Sequence, residues 1–239
     1  MWPFSKSSPR TEAVEDSSTS FGDSSFAADY AEIAEQLQLR KSKSKVFGSD
    51  AHHFKLNPPL PENEIAQFET RHNIRLPQDY RGFLLHLGNG GAGPAYGLFK
   101  LGEIDDGHGH APWHENEGLV GILAQPFPHT KAWNDLTGCP ESDEVRPLSP
   151  EEENALFEKI DEWEQTHYLN SRHINGAIPI CHQGCALRQW LVVSGPEIGH
   201  VWNDFRADED GITPVMLPGL PRVSFLQWYR AWLNKLIVA

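Results

Sequence analysis

No stretch of the 239-residue chain approaches the roughly 18 uninterrupted apolar residues that a membrane-spanning helix needs. Met1 to Phe26 also has no apolar run like the core of a secretory signal, so a cytoplasmic protein is expected. Cysteine is scarce: Cys139, Cys181 and Cys185 cannot all pair, which excludes a dense disulfide scaffold and fits a reducing compartment. Basic residues are outnumbered, 20 Lys and Arg against 33 Asp and Glu for a net charge of −13, which argues against nucleic-acid and anionic-membrane partners. Familiar catalytic and phosphate-binding signatures are missing as well. The glycine-rich run Gly88 to Gly97 lacks the Lys-Ser/Thr ending of a Walker loop and the dinucleotide-binding spacing, and it follows a helix where a phosphate loop would precede one. There is no G-x-S-x-G elbow, no H-E-x-x-H pair and no internal repeat.

What is present is enough apolar sequence for a core, 39% hydrophobic and 10% aromatic, together with an uneven distribution of charge. Residues 103–164 hold sixteen carboxylates and only three bases, Lys131, Arg146 and Lys159, so this segment accounts for the whole net charge. Elsewhere acids and bases cancel. A local negative field of this kind either keeps a face solvated or steers a cationic partner.

Along the chain, residues 5–25 contain eight serines and few branched apolar residues, predicting a disordered tail over 1–25. A first helix is expected over Phe26 to Lys41, with a short basic run and linker completing residues 26–59. Pro61, Glu62 and Glu64 mark the start of a second helix that stops near Asn73. After Pro77, Tyr80, Phe83, Leu84 and Leu87 fall on one helical stripe that ends at Gly88 and the turn Asn89-Gly90-Gly91. Tyr96 to Leu101 reads as a strand, and residues 103–148 as an irregular part of an insertion extending to about 177. Ser149-Pro150-Glu151-Glu152 opens an acidic amphipathic helix through Leu156, Ile160, Trp163 and His167. Strands over 178–181, 187–193 and 200–202 then form an antiparallel meander. Ser224 caps a closing helix with Phe225, Trp228, Tyr229, Trp232 and Leu236 on one face. Helices on either side of a block of strands predict an α+β fold, a mostly antiparallel sheet packed by helices.

Leu76-Pro77-Gln78-Asp79-Tyr80-Arg81-Gly82-Phe83-Leu84, the Asn89-Gly90-Gly91 turn and Gly93-Pro94-Ala95-Tyr96-Gly97-Leu98-Phe99 resemble the N-terminal signature of the SUKH superfamily. Ile178-Pro179-Ile180, Gly184-Cys185, Trp190 to Val193, Gly199-His200-Val201-Trp202 and the Ser224 to Tyr229 helix resemble its later strands and closing helix. The resemblance covers residues 60–239 as one domain, interrupted by the acidic insertion, and rests on Pro77, Tyr80, Gly90, Gly91, Gly97, Gly184, Cys185, Trp202 and Trp228. It implies a non-enzymatic binding domain, most often an immunity protein that neutralises a toxin, frequently a nuclease, by direct contact. The superfamily also includes Smi and Knr type regulators of fungal cell-wall assembly, which implies a regulatory scaffold as the alternative.

Three chemistries are weighed against the residues. His108, His110 and His114 cluster with Asp105 and Asp106, and Cys181, His182 and Cys185 form a second set, but the spacing departs from that of structural zinc sites, so no metal or other cofactor is expected. Adjacent carboxylates such as Asp105 and Asp106 show no division into an acid and a base, so catalysis is not expected. The expected site is a partner-binding surface of Glu103, Asp105, Asp106, Glu115, Glu117 and Asp135, with Trp113 or Trp133 as apolar anchor, facing a basic protein such as a toxin domain.

Overall fold

The structure, a computed structural model, describes residues 26–40, 46–107, 109–115, 118–141 and 148–234. The tail over 1–25, the basic run over 41–45 and Leu236 lie outside the described residues. Among the described residues the elements run α1 (Ala27–Arg40), α2 (Ser49–His52), α3 (Glu62–His72), α4 (Gln78–His86), β1 (Glu103–Asp105), β2 (His110–Pro112), α5 (Pro150–Trp163), β3 (Ala177–Gly184), β4 (Leu187–Val192), β5 (Val201–Asp204), β6 (Ile212–Pro214) and α6 (Phe225–Leu233). β1 and β2 pair as a hairpin, and β3 to β6 form an antiparallel meander in chain order, so the fold is α+β.

The helices form where the apolar period and the end signals agree. α1 buries Tyr30, Ile33 and Leu37 on one stripe. α3 starts after Pro61 and ends at Asn73, whose φ of 51° is left-handed. α4 starts after Pro77 and buries Tyr80, Phe83 and Leu84. α6 carries a full capping box, with the Ser224 hydroxyl accepting from Gln227 N–H and the Gln227 side chain accepting from Ser224 N–H. Its rings interlock with those of α4: Tyr80 to Phe225 at 4.7 Å, Phe83 to Phe225 at 5.1 Å and Phe83 to Tyr229 at 5.0 Å between centroids.

Asp79, in the first turn of α4, ties this helical layer together. Its Oδ1 accepts from Tyr80 N–H at 2.9 Å and its Oδ2 from Leu226 N–H at 3.0 Å, so one buried carboxylate satisfies donors at the start of two helices. Its backbone carbonyl accepts the Tyr30 hydroxyl at 3.0 Å, which brings in α1. Arg230 on α6 pairs with Asp29 and Glu32 of α1 at the same junction.

Residues paired across the meander share a face. Trp190 sits opposite Trp202 and Arg188 opposite Asp204, while Leu191 opposite Val201 and Gln189 opposite Asn203 point the other way. Cys181, paired with Gln189, lies on that second face, where Tyr229 of α6 approaches it. The tryptophan face is covered by the segment between β2 and β3. Phe127 packs on Trp202 with centroids 5.0 Å apart, and Trp133 exchanges backbone hydrogen bonds with Ile212 at 2.8 and 2.7 Å. Arg206 grips both Asp204 oxygens, Nε to Oδ1 at 2.7 Å and Nη2 to Oδ2 at 2.8 Å, while its Nη1 donates to the carbonyls of Tyr168 and Asn170 at 2.9 and 3.2 Å.

Several local expectations change. Tyr96 to Leu101 is a bridged edge rather than a regular strand. Leu98 exchanges hydrogen bonds with Gly91 at 2.7 and 3.0 Å and Phe99 N–H donates to the Ile180 carbonyl at 3.1 Å, but the φ angles of Ala95 (46°) and Gly97 (101°) interrupt the pleat. A Cβ on Gly97 would stand 2.3 Å from the Gly91 carbonyl oxygen, so only glycine fits there. Residues 103–148, expected to be irregular, contain the β1 and β2 hairpin, whose three-residue strands are too short to print an alternating pattern. β6, equally short, was not expected, and His200 bridges to Ser224 just before β5 rather than lying within it.

Replacing Asp79 by alanine leaves Leu226 N–H and Tyr80 N–H without acceptors in a buried site, and urea unfolding is expected to show a loss of about 2 kcal/mol, with a smaller loss for Asp79→Asn. Acid acts elsewhere, at His129, where burial and then the neighbouring His173 depress the imidazole from 6.5 to about 4. The fold therefore favours neutral His129: its contribution is complete above pH 6.5 and is lost as pH falls from 6.5 through about 4. Stability curves at stepped pH should decline across that window in the wild type and less steeply in His129→Gln.

Candidate partner-binding surface

The expected acidic residues do not form one cluster. Glu103 and Asp105 lie on β1, anchored by fully buried Ile104 between them. Lys100 Nζ donates to the Glu103 carboxylate at 3.1 Å. Asp105 accepts from Gly107 N–H at 3.2 Å and lies 3.4 Å from His182 Nε2, while Arg188 Nη2 donates to its backbone carbonyl at 2.8 Å. Burial lowers the His182 pKa and Asp105 opposes that shift, so this carboxylate is partly engaged with β3. Asp106 follows at the hairpin turn, half-buried. Glu115 ends a single 3-10 turn over Trp113–Glu115, and Glu117 lies outside the described residues, as does His108.

Trp113 is not an exposed anchor. It is 9% exposed and packs against Phe68 at 5.8 Å and His72 at 6.0 Å on α3, because the hairpin returns the chain toward that helix. Trp133 is also structural, stacked on His173 at 4.1 Å and Tyr168 at 5.5 Å. Among the described residues no three His, Cys, Asp or Glu side chains converge as a metal-binding group. Cys181 is buried and Cys185 exposed in the β3–β4 turn.

The more open acidic surface is α5 and its surroundings. Ser149 and Glu152 close its capping box, and Glu151, Glu152 and Glu153 occupy the first turn, where the helix dipole favours anions. None of its fourteen residues is fully buried. Glu158, Asp161 and Glu162 stand in solvent around Phe157, which is 66% exposed. At the far end, burial and then the carboxylates of Glu209 and Asp161 hold the Glu164 carboxyl above its usual range. Glu209 belongs to the exposed run Asp208-Glu209-Asp210 between β5 and β6, and Asn134 Nδ2 donates to its carbonyl at 2.6 Å. That bond places the neighbouring Asp135 beside the same loop. Asp135 is itself solvent-exposed, and hydrogen bonds from Thr137 hold its pKa down. The tertiary structure thus adds Asp208, Glu209 and Asp210 to Asp135 and the end of α5. Three consecutive acids were a visible signal for this addition, but they lie far from residues 103–164 in sequence. Phe157 was also legible as a lone aromatic among glutamates.

Among the described residues no helix is long and apolar enough to cross a membrane. A search of curated proteins and one of solved structures find no match. A family model does match residues 59–215, from just before α3 to just after β6, taking in both sheets and the segment that bears the acidic groups. With α3, α4 and the four-stranded meander all inside the matched span, the chain belongs to the SMI1 / KNR4 family (SUKH-1).

Proposed function

We propose that this chain is a non-enzymatic, cytoplasmic protein-binding domain of the immunity kind, which neutralises a basic toxin domain, such as a nuclease, by direct contact. The observation that carries the reading is the meeting of Asp161 at the end of α5 with Glu164 just beyond it and Glu209 of the β5–β6 loop, carboxylates that add to burial in raising the Glu164 pKa. α5 only half-buries its apolar stripe of Leu156, Ile160 and Trp163 and leaves Glu151, Glu153, Glu158, Asp161, Glu162 and Phe157 to solvent. A nuclease presents cations arranged for phosphates, and carboxylates can take the place of those phosphates and occlude the groove. The long-range field speeds encounter, and an aromatic side chain among the charges slows release. The proposed contact set joins Asp135, α5 and the Asp208 to Asp210 loop, with Glu103, Asp105 and Asp106 extending it to the β1 and β2 hairpin, and includes Glu115 and Glu117 on the ground of their sequence alone. Trp113, being core, is left out of it.

The test is co-expression with the product of an adjacent gene that is toxic alone. Rescue with a tight one-to-one complex is the expected result, and failure to rescue would overturn this reading in favour of a regulatory scaffold of the Smi and Knr type. Within such a complex, joint Glu158→Gln, Asp161→Asn and Glu162→Gln substitution should slow association about tenfold at low salt and make little difference at high salt. Phe157→Ala should instead raise the dissociation rate and leave association nearly unchanged.

A further inference from the structure

Arg71 closes the last turn of α3, and among the described residues no carboxylate pairs with it, whereas Arg75 and Arg81 are held by Glu69 and Glu62. Its solvent-exposed side chain lines a cavity of about 420 Å³. His72 and Trp113 line the same cavity, and the segment that follows the hairpin contributes Val120, Ile122 and Leu123. No carboxylate side chain lines it among the described residues, in a chain whose net charge is −13. A neighbouring hollow of about 510 Å³ shares Arg71, His72 and Trp113 but takes in Glu103.

The cavity is built rather than accidental. Ile122 is 58% exposed, yet its backbone is pinned: its N–H donates to Asn175 Oδ1 at 2.7 Å, and its carbonyl accepts from the Gln125 and Gly176 N–H groups, both at 3.1 Å. Gly121 before it lies so near Ser171 that a Cβ would stand 2.6 Å from the Ser171 carbonyl oxygen. Leu123, 4% exposed, and Trp113, 9% exposed, root the lining in the core. A fixed backbone therefore holds an aliphatic side chain outward, and the cavity needs little rearrangement to receive a ligand. Burial and then Arg71 lower the His72 pKa, so its imidazole is neutral at pH 7 and offers ring surface, leaving Arg71 as the permanent positive charge. We propose that this cavity binds a small aromatic carboxylate, its ring against the edge of Trp113 and the Val120 and Ile122 side chains, its anionic group on Arg71. Aromatic edges and aliphatic groups suit a flat apolar body, and a guanidinium without a counter-ion suits a carboxylate. Glu103 disfavours the same anion in the neighbouring hollow. The site goes beyond the protein-binding role above and does not rest on it.

Methyl proton–carbon correlation spectra of the full chain test this, titrated with sodium 2-naphthoate, with neutral 2-naphthylmethanol and with sodium acetate at physiological salt, where screening shortens the reach of distant acidic groups. The expected result is a saturable shift of the Ile122 methyl signal, assigned through Ile122→Val, with naphthoate, a weaker response to the alcohol and none to acetate. The signals of Ile33 on α1 and Ile212 on β6, which do not line the cavity, should stay in place. Arg71→Gln, a change at an exposed position, should weaken naphthoate binding about fivefold and leave the alcohol unaffected. An unmoved Ile122 signal, equal affinity for acid and alcohol, equal shifts at Ile33 and Ile212, or unchanged naphthoate affinity in Arg71→Gln would each overturn the proposal.

Discussion

A four-stranded meander with tryptophans on one face and aliphatic residues on the other has two faces to remove from water, and α6 covers only one. The constraint on the rest of the structure is therefore that the tryptophan face must be covered by the segment that also carries the acidic charge. The buried Asp204 and Arg206 pair makes that attachment specific. Its two charges compensate each other, and the remaining guanidinium donors take up backbone carbonyls that an irregular segment would otherwise leave unsatisfied.

The stacked rings of Trp133, His173 and Tyr168 extend this attachment outward, and neutral His129 fills in behind them, its ring nitrogen 3.0 Å from the His173 carbonyl. Beyond that layer α5 has little core to contribute to. A helix that half-buries a single stripe, Leu156, Ile160 and Trp163, can be acidic on the rest of its circumference, and the capping box and the favourable placement of glutamates at its N-terminus help hold it helical. Packed support and solvent-facing charge are thus combined in a single insertion.

The helical layer obeys a different economy. Around Asp79, helix-end donors from α4 and α6 and a hydroxyl from α1 converge on a single residue, so three helices distant in sequence are registered by hydrogen bonds rather than by apolar contact alone. Apolar packing tolerates sliding, whereas a buried carboxylate does not. Glu69 repeats the device between α3 and α4, accepting from Leu76 N–H at 2.9 Å and from Arg75 at 3.1 Å.

The sequence by itself determined the elements whose signals are local: α4 from its apolar stripe, α5 and α6 from their capping serines, and the three longer strands of the meander from branched residues between glycine turns. It also determined the place of the negative charge along the chain. Only the tertiary structure decided which of those charges face one another, because Glu209 and Glu164 meet through folding and not through proximity in sequence. It alone decided that Trp113 is core, since an indole carries the same apolar character whether it meets α3 or a partner. The three-residue strands were illegible for the same reason: pairing and burial are relations between distant residues, and periodicity reports only on neighbours.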